Sequence, residues 1–236
     1  MIIITTPTIM AIVMAEAALY DLLTWMSPAW PIGAFAHSSG LEWAVEAGHV
    51  TDRESTRQWI ADLLAHGPIH NDMILFVHAW RAASAGDEAR LDEIAELSLA
   101  TQTGLERRVE ATAQGMAFRK IANATVNPPL AGEDLTYPIA VACLTAGQAI
   151  PLGQALTAYA HGVVSNLVSA AQRLVPLGQT DGQLILRDLR GVIFDLVDEI
   201  AKLPDGDPFD QLGGAALVAE IGCMAHETQY TRLFRT

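Results

Sequence analysis

The chain has 236 residues, of which 51% are hydrophobic and only 17% charged, so it can build a sizeable core and has little charge to spread over a monomer's surface. Its 14 basic residues stand against 27 acidic ones, a net charge of −13, which excludes a nucleic-acid binder relying on basic patches to neutralise phosphates. Two cysteines, Cys143 and Cys223, exclude a disulfide framework and make a reducing cytoplasm the expected compartment.

Residues 1–14 are apolar without Lys or Arg, unlike a secretory leader with its basic n-region. They are read as a flexible N-terminal extension, with a short strand over the β-branched residues 2–6 as the alternative. No run reaches the ~18 apolar residues of a membrane span. Residues 15–25 form the first expected helix, with Leu19, Leu22 and Leu23 inward. Ser27-Pro28-Ala29-Trp30-Pro31 stops it, because proline cannot continue a helix and biases the preceding residue toward extended geometry. In Ile32-Gly33-Ala34-Phe35-Ala36-His37-Ser38-Ser39-Gly40-Leu41-Glu42, the two glycines mark positions that need permissive dihedrals or close backbone approach. A short helix follows over 41–47.

Thr51 and Glu54 have capping-box spacing, opening a helix with Trp59, Ile60, Leu63 and Leu64 on its inner face that ends at Gly67-Pro68. The next helix carries Ile69, Met73, Phe76, Val77 and Trp80, and another begins with Leu91, Ile94 and Ala95. In a long helix reaching about residue 123, Leu105, Val109, Ala113, Met116 and Ile121 are the expected inner face, with Arg107, Arg108, Arg119 and Lys120 outside. A loop over 127–136 precedes a helix with Ile139, Ala142, Cys143 and Ala146.

The stretch 151–203 reads as two helices joined at Pro176-Leu177-Gly178-Gln179-Thr180-Asp181-Gly182-Gln183. The first is apolar or small around most of its circumference, with Leu156, Tyr159, Val163, Leu167 and Ala170 on one stripe, which predicts a place in the middle of the molecule. The second starts at a Thr180–Gln183 capping box and buries Ile185, Leu189, Ile193, Leu196, Ile200 and Leu203. A last helix, over 214–229, has Leu217, Val218, Ile221 and Ala225 on one face. With no alternating strand pattern after residue 14, the expected class is all-α: one bundle of about ten helices over 15–229, plus a tail, 230–236.

Chemistry is sparse. Only two lysines exist, Lys120 and Lys202, and neither completes the Gly-Lys-Ser/Thr core of a phosphate-binding loop. His37 with Ser38 or Ser39 has the residue types of a hydrolase, without an elbow motif or an evident acidic orienter. His66 and His70 are separated by Gly67-Pro68, which breaks the shared helical face a metal pair needs. His161 reads as a hydrogen-bonded helix histidine, and His226-Glu227 as a solvated last turn. The tail Tyr230-Thr231-Arg232-Leu233-Phe234-Arg235-Thr236 combines arginine and aromatic residues of the kind enriched at interface centres. Docking to a partner is the favoured reading, and folding back on its own domain the alternative.

Three segments together, 31–42, 174–183 and 226–235, resemble the urease accessory family UreF in content, order and separation. The resemblance covers about residues 15–236. It implies an all-helical, dimeric, non-enzymatic cytoplasmic chaperone. Such a protein bridges a UreD/UreH-like protein and the GTPase UreG, and supports nickel insertion into apo-urease with Ni2+ in transit and no tightly bound cofactor. It implies that Phe35, His37 and Arg107 lie toward the dimer and GTPase side. It also implies that Tyr230, Arg232, Leu233, Phe234 and Arg235 meet the UreD-like partner, and that the residues around Gln179 form a structural turn. The other classes in view are a hydrolase built on His37 with Ser38 or Ser39, and a direct nickel carrier using His66, His70 or His226.

Overall fold

Residues 137–146 are buried without exception, and the rest of the chain is arranged around them. They belong to α7 (Tyr137–Gly147), which packs on α4 (Pro68–Ala85), α6 (Gly104–Thr125) and α8 (Leu152–Leu174) in a computed structural model that describes residues 6–130, 132 and 134–236. A short helix with no charged residue has no side to turn to water. The remaining helices are α1 (Thr6–Trp25), α2 (Leu41–Glu46), α3 (Arg53–His66), α5 (Glu88–Ala100), α9 (Gln179–Ile200) and α10 (Leu217–His226). No strand occurs among the described residues, so the all-α expectation holds. The possible strand at 2–6 falls largely outside the described residues. None of the helices searched is long and apolar enough to cross a membrane.

Aromatic rings pin the centre. Phe76 lies 5.3 Å from Tyr159, Tyr159 5.6 Å from Tyr137, Tyr137 5.7 Å from Phe118 and Phe118 5.9 Å from Trp30, all tilted or edge-on as ring quadrupoles favour. Burial raises the Tyr137 and Tyr159 phenols well above their ordinary range, so both stay neutral. The α8–α9 hairpin is present with the expected inner face on α9, from Ile185 to Ile200; α8 supplies Tyr159 to this centre, as its apolar circumference predicted, while α9 flanks it against α8 and α3.

Caps fall beside their expected positions. Asp52, not Thr51, caps α3: it accepts from Ser55 N–H at 2.8 Å, while Ser55 Oγ accepts from Asp52 N–H at 3.0 Å. Asp181, not Gln183, closes the start of α9 by accepting from Gly178 N–H at 3.0 Å. The first helix runs from Thr6 rather than from residue 15, and of its three leucines only Leu22 is buried; Leu19 and Leu23 face outward.

Two helices are turned relative to expectation. On α6 the buried stripe is Arg107, Glu110, Ala111, Gln114, Gly115, Phe118 and Ala122, whereas Leu105 is 64% exposed, Met116 57%, and Val109 and Ala113 also face outward. Arg108 and Lys120 are exposed as expected, but Arg107 is inside. On α10 the buried stripe is Ala219, Gly222, Cys223 and His226, and Leu217 (66%), Val218 and Ile221 (53%) are left outside. The reason is steric on one helix and electrostatic on the other. A Cβ on Gly222 would come within 2.6 Å of the Trp43 ring, so α10 meets α2 through its smallest residues. The inner face of α6 carries charge because that charge is met by partners, described next.

Candidate functional site: a buried ionic cluster under the tail

Four helices, a loop and the tail bring carboxylates, arginines and histidines into one largely buried cluster, with Asp72 supplied by α4 and Arg232 by the tail. Glu42 comes from α2, Glu106, Arg107 and Glu110 from α6, His226 from α10, and His37 to Ser39 from the loop before α2. That loop turns sharply. Gly33 and Gly40 both sit at φ near +80°, and a Cβ on Gly40 would also stand 2.8 Å from Cys223 Sγ.

His226 is fully buried, with Nδ1 2.7 Å from Glu106 Oε2 and Nε2 3.0 Å from Glu42 Oε2. An ionised carboxylate only accepts, so a ring nitrogen that carries a proton donates to the glutamate beside it. Glu42 also accepts main-chain N–H bonds from Leu233 at 2.6 Å and Phe234 at 2.9 Å. Burial works against its charge, but these three donors outweigh it and hold the carboxyl below its ordinary range. Glu106 accepts in addition from Arg232 at 2.8 Å. Glu227 caps α6 by accepting from Leu105 N–H at 2.8 Å.

A second half of the cluster centres on Arg107, whose guanidinium lies 3.2 Å from Glu110 and 3.5 Å from Asp72. Ser39 donates to both Glu110 oxygens, at 2.8 and 3.1 Å. Burial raises the Asp72 carboxyl to about 6, with the Arg107 charge opposing. Folded Asp72 therefore holds its proton more tightly than the unfolded chain does, and its contribution to stability falls as pH rises from its ordinary 3.8 through about 6. The expected result for Asp72→Asn is a stability deficit relative to the parent that is larger at pH 4.5 than at pH 7, read from urea unfolding at both; a pH-independent difference would contradict the assignment.

The structure separates several residues that the sequence placed together. His37 is buried, with Nδ1 2.7 Å from Thr236 Oγ1, and it pairs with neither serine: Ser38 donates to the Thr236 main-chain oxygen at 3.0 Å and Ser39 to Glu110. Desolvation lowers the His37 pKa. His66 is exposed, His70 half-buried and His226 locked between two glutamates, and no group of three or more His, Cys, Asp or Glu arranged to hold a metal ion occurs among the described residues searched. Burial pushes the Cys143 and Cys223 thiols up to about 12, as inert core thiols. Phe35 stands out at 72% exposed; Tyr230, Leu233 and Arg235 are also exposed, Arg232 partly so. Phe234 is buried among Leu41, Ala44, Val50, Ala170, Ala171 and Val175, so in this conformation the tail folds back on its own domain. Sequence reasoning passed over Glu42, Glu106 and Glu110. The signal was a polar stripe, 107, 110 and 114, in register with the small residues 111 and 115 on a helix whose large apolar residues drew the attention.

Residues 50–190 match the family model UreF. The chain is 46% identical to the urease accessory protein UreF of Rhodopseudomonas palustris strain HaA2 over 227 residues, covering 93% of this chain and 94% of that one. It is 46% identical over 228 residues to the UreF of strain BisB5, covering 94% and 92%. With the UreF of Bradyrhizobium sp. strain BTAi1 the identity is 45% over 225 residues, covering 93% and 92%. A helical chain whose residues 50–190 match that family's model, and which is 45–46% identical to these relatives over 93–94% of its length, belongs to the UreF family of urease accessory proteins.

Proposed function

We propose that this chain is a non-catalytic cytoplasmic scaffold for urease maturation. It bridges a UreD/UreH-like protein and the GTPase UreG, works as a homodimer, and supports delivery of nickel to apo-urease. Nickel is the cargo of the assembly, not a resident cofactor of this chain. The observation that carries the reading is the pair of outward apolar faces on α6 and α10. Leu105, Val109 and Met116 on one helix, and Leu217, Val218, Ile221 and Met224 on the other, are exposed large hydrophobic residues. The two faces adjoin where α6 begins, since a Cβ on Gly104 would lie 3.2 Å from Met224 Cγ. Apolar surface of this extent marks interaction sites on soluble proteins. Tyr230 and Leu233 of the tail are exposed as well, and Arg232 links the tail to α6 through Glu106. This side is assigned to the UreD-like partner.

Phe35 belongs to another side. It lines a cavity with Met26, Ser165 and Arg173, and the neighbouring groove between α1 and α8 continues through Leu19, Leu23 and His161. That surface is assigned to the second copy and the GTPase, with His37 and Arg107 acting beneath it as supports rather than contacts.

The test is co-expression with the UreD-like and UreG candidates, read by size-exclusion chromatography. Val218→Asp with Ile221→Asp places two charges on an exposed face. The expected result is a helical, folded chain that no longer co-elutes with the UreD-like protein, with affinity down at least tenfold, on the order of two lost hot-spot contacts. Undiminished co-elution would overturn the assignment. Deleting the gene leaves urease protein present without its nickel, and normal metal occupancy would defeat the proposal as a whole.

A further inference from the structure

The turn that presents Phe35, Ala34–Ala36, buries none of its own residues. Its long-range main-chain bonds go to the tail: Arg235 N–H donates to the Ala36 oxygen at 2.8 Å, and Ser38 N–H to the Thr236 oxygen at 2.6 Å. Between loop and tail stands Arg173, in the last turn of α8. Its guanidinium carbon lies 3.7 Å from the Phe35 ring centroid and 4.0 Å from that of Phe234, and its Nη1 donates to the Phe35 oxygen at 2.5 Å. One cation thus touches the exposed ring of the loop, the loop's backbone and the buried ring of the tail. The tail has its own anchors on the far side, where Leu233 and Phe234 N–H groups meet Glu42 and Arg232 meets Glu106.

We propose that Arg173 is a positioning residue that couples the two segments: residues 33–38 hold Phe35 in its presented orientation only while residues 234–236 are seated on the domain. The coupling runs through a planar guanidinium that faces two rings and donates to a carbonyl at once, a combination that a lysine ammonium cannot reproduce. Because linkage is reciprocal, loosening the loop must loosen the tail by the same factor. The consequence for a partner gripping Phe35 rests on the function proposed above; the coupling itself belongs to the isolated chain and is tested there.

Amide hydrogen exchange on the full chain supplies reporters on each side that do not touch the other. The Ala36 and His37 N–H groups bond within the loop, to the Gly33 and Ala34 oxygens, and the Leu233 and Phe234 N–H groups bond to Glu42. Arg173→Lys keeps the charge and the aliphatic stem. The expected result is about tenfold faster exchange at both pairs of reporters, within the usual range of coupling between sites, with α4 and α7 amides unchanged. Phe234→Ala is expected to speed exchange at Ala36 and His37, and Phe35→Ala to speed it at Leu233 and Phe234. If Phe234→Ala fails to fold, Arg173→Lys and the exposed Phe35→Ala carry the test alone. Loop reporters that stay protected while the tail reporters open, or the reverse, would overturn the coupling whatever the partner experiments show.

Discussion

Glu42→Ala is expected to lower the unfolding free energy by about 3–5 kcal/mol, the cost of removing one member of a buried, hydrogen-bonded ionic cluster. The substitution strands three donors at once, the N–H groups of Leu233 and Phe234 and the Nε2 of His226, and His226 is wholly out of water. Buried donors without acceptors incur their full desolvation penalty. The loss is spread over two elements, so two measurements apply. Urea unfolding reads the global term, and limited proteolysis between residues 228 and 236 reads release of the tail. Glu42→Gln keeps one oxygen acceptor and should fall between parent and alanine variant. The pH dependence has a defined sign. The folded Glu42 carboxyl lies below its ordinary value of 4.5, so its contribution is present above that pH and is lost as pH falls through the lower folded value. In the parent the tail should become protease-sensitive on acidification, while in Glu42→Ala it should be sensitive at neutral pH already. A urea midpoint and a cleavage pattern unchanged by Glu42→Ala would remove this residue from the centre of the cluster.

Gly115→Ala should destabilise the chain by about 3 kcal/mol or more, or prevent folding, although alanine is the better helix former by nearly 1 kcal/mol. Gly115 lies inside α6, where the propensity scale taken alone forecasts a gain. A Cβ there would meet the Leu135 oxygen at 2.0 Å, the Thr136 carbonyl carbon at 2.8 Å and the Tyr137 nitrogen at 2.9 Å. These are backbone atoms leading directly into α7, and they cannot swing aside as a flexible side chain would. Either α6 moves off its neighbour, opening the Phe118–Tyr137 contact, or the start of α7 is displaced. Gly191→Ala on α9 is the matched control: nothing lies within 4 Å of its added Cβ, so it should be neutral or slightly stabilising. Thermal unfolding of the two variants side by side settles the point, and equal midpoints would refute it.

Much of the fold was legible because it depends on local periodicity and local punctuation. The helices from α3 to α5 and from α7 to α9 follow their apolar spacing, and Pro68, Pro138 and Gly86 stand at the ends where proline and glycine belong. The caps at Asp52 and Asp181 slipped by a position or two, because neighbouring Ser, Thr, Asp and Gln offer equivalent side chains and only backbone geometry chooses among them. The family, too, was carried by short ordered motifs: 31–42 became the loop and α2 of the buried cluster, and 226–235 the tail that seats on it.

The faces of α6 and α10 could not be read the same way. Hydrophobic periodicity assumes that large apolar residues turn inward, which holds when the interior is apolar. Here part of the interior is ionic, and Arg107 is buried because Glu110 and Asp72, the latter from a helix far along the chain, stand within reach of it. Likewise Phe234 is buried only because Leu41, Ala170 and Val175 converge to receive it. Sequence by itself therefore determined the helices that follow residue 15, most of their ends and which family the chain resembles, since those properties are set largely by neighbours along the backbone. Tertiary structure alone decided which face each marginal helix hides, which charges lie in the interior and whether the tail rests on its own domain, since a buried charge is tolerable only beside partners that the fold brings from far away.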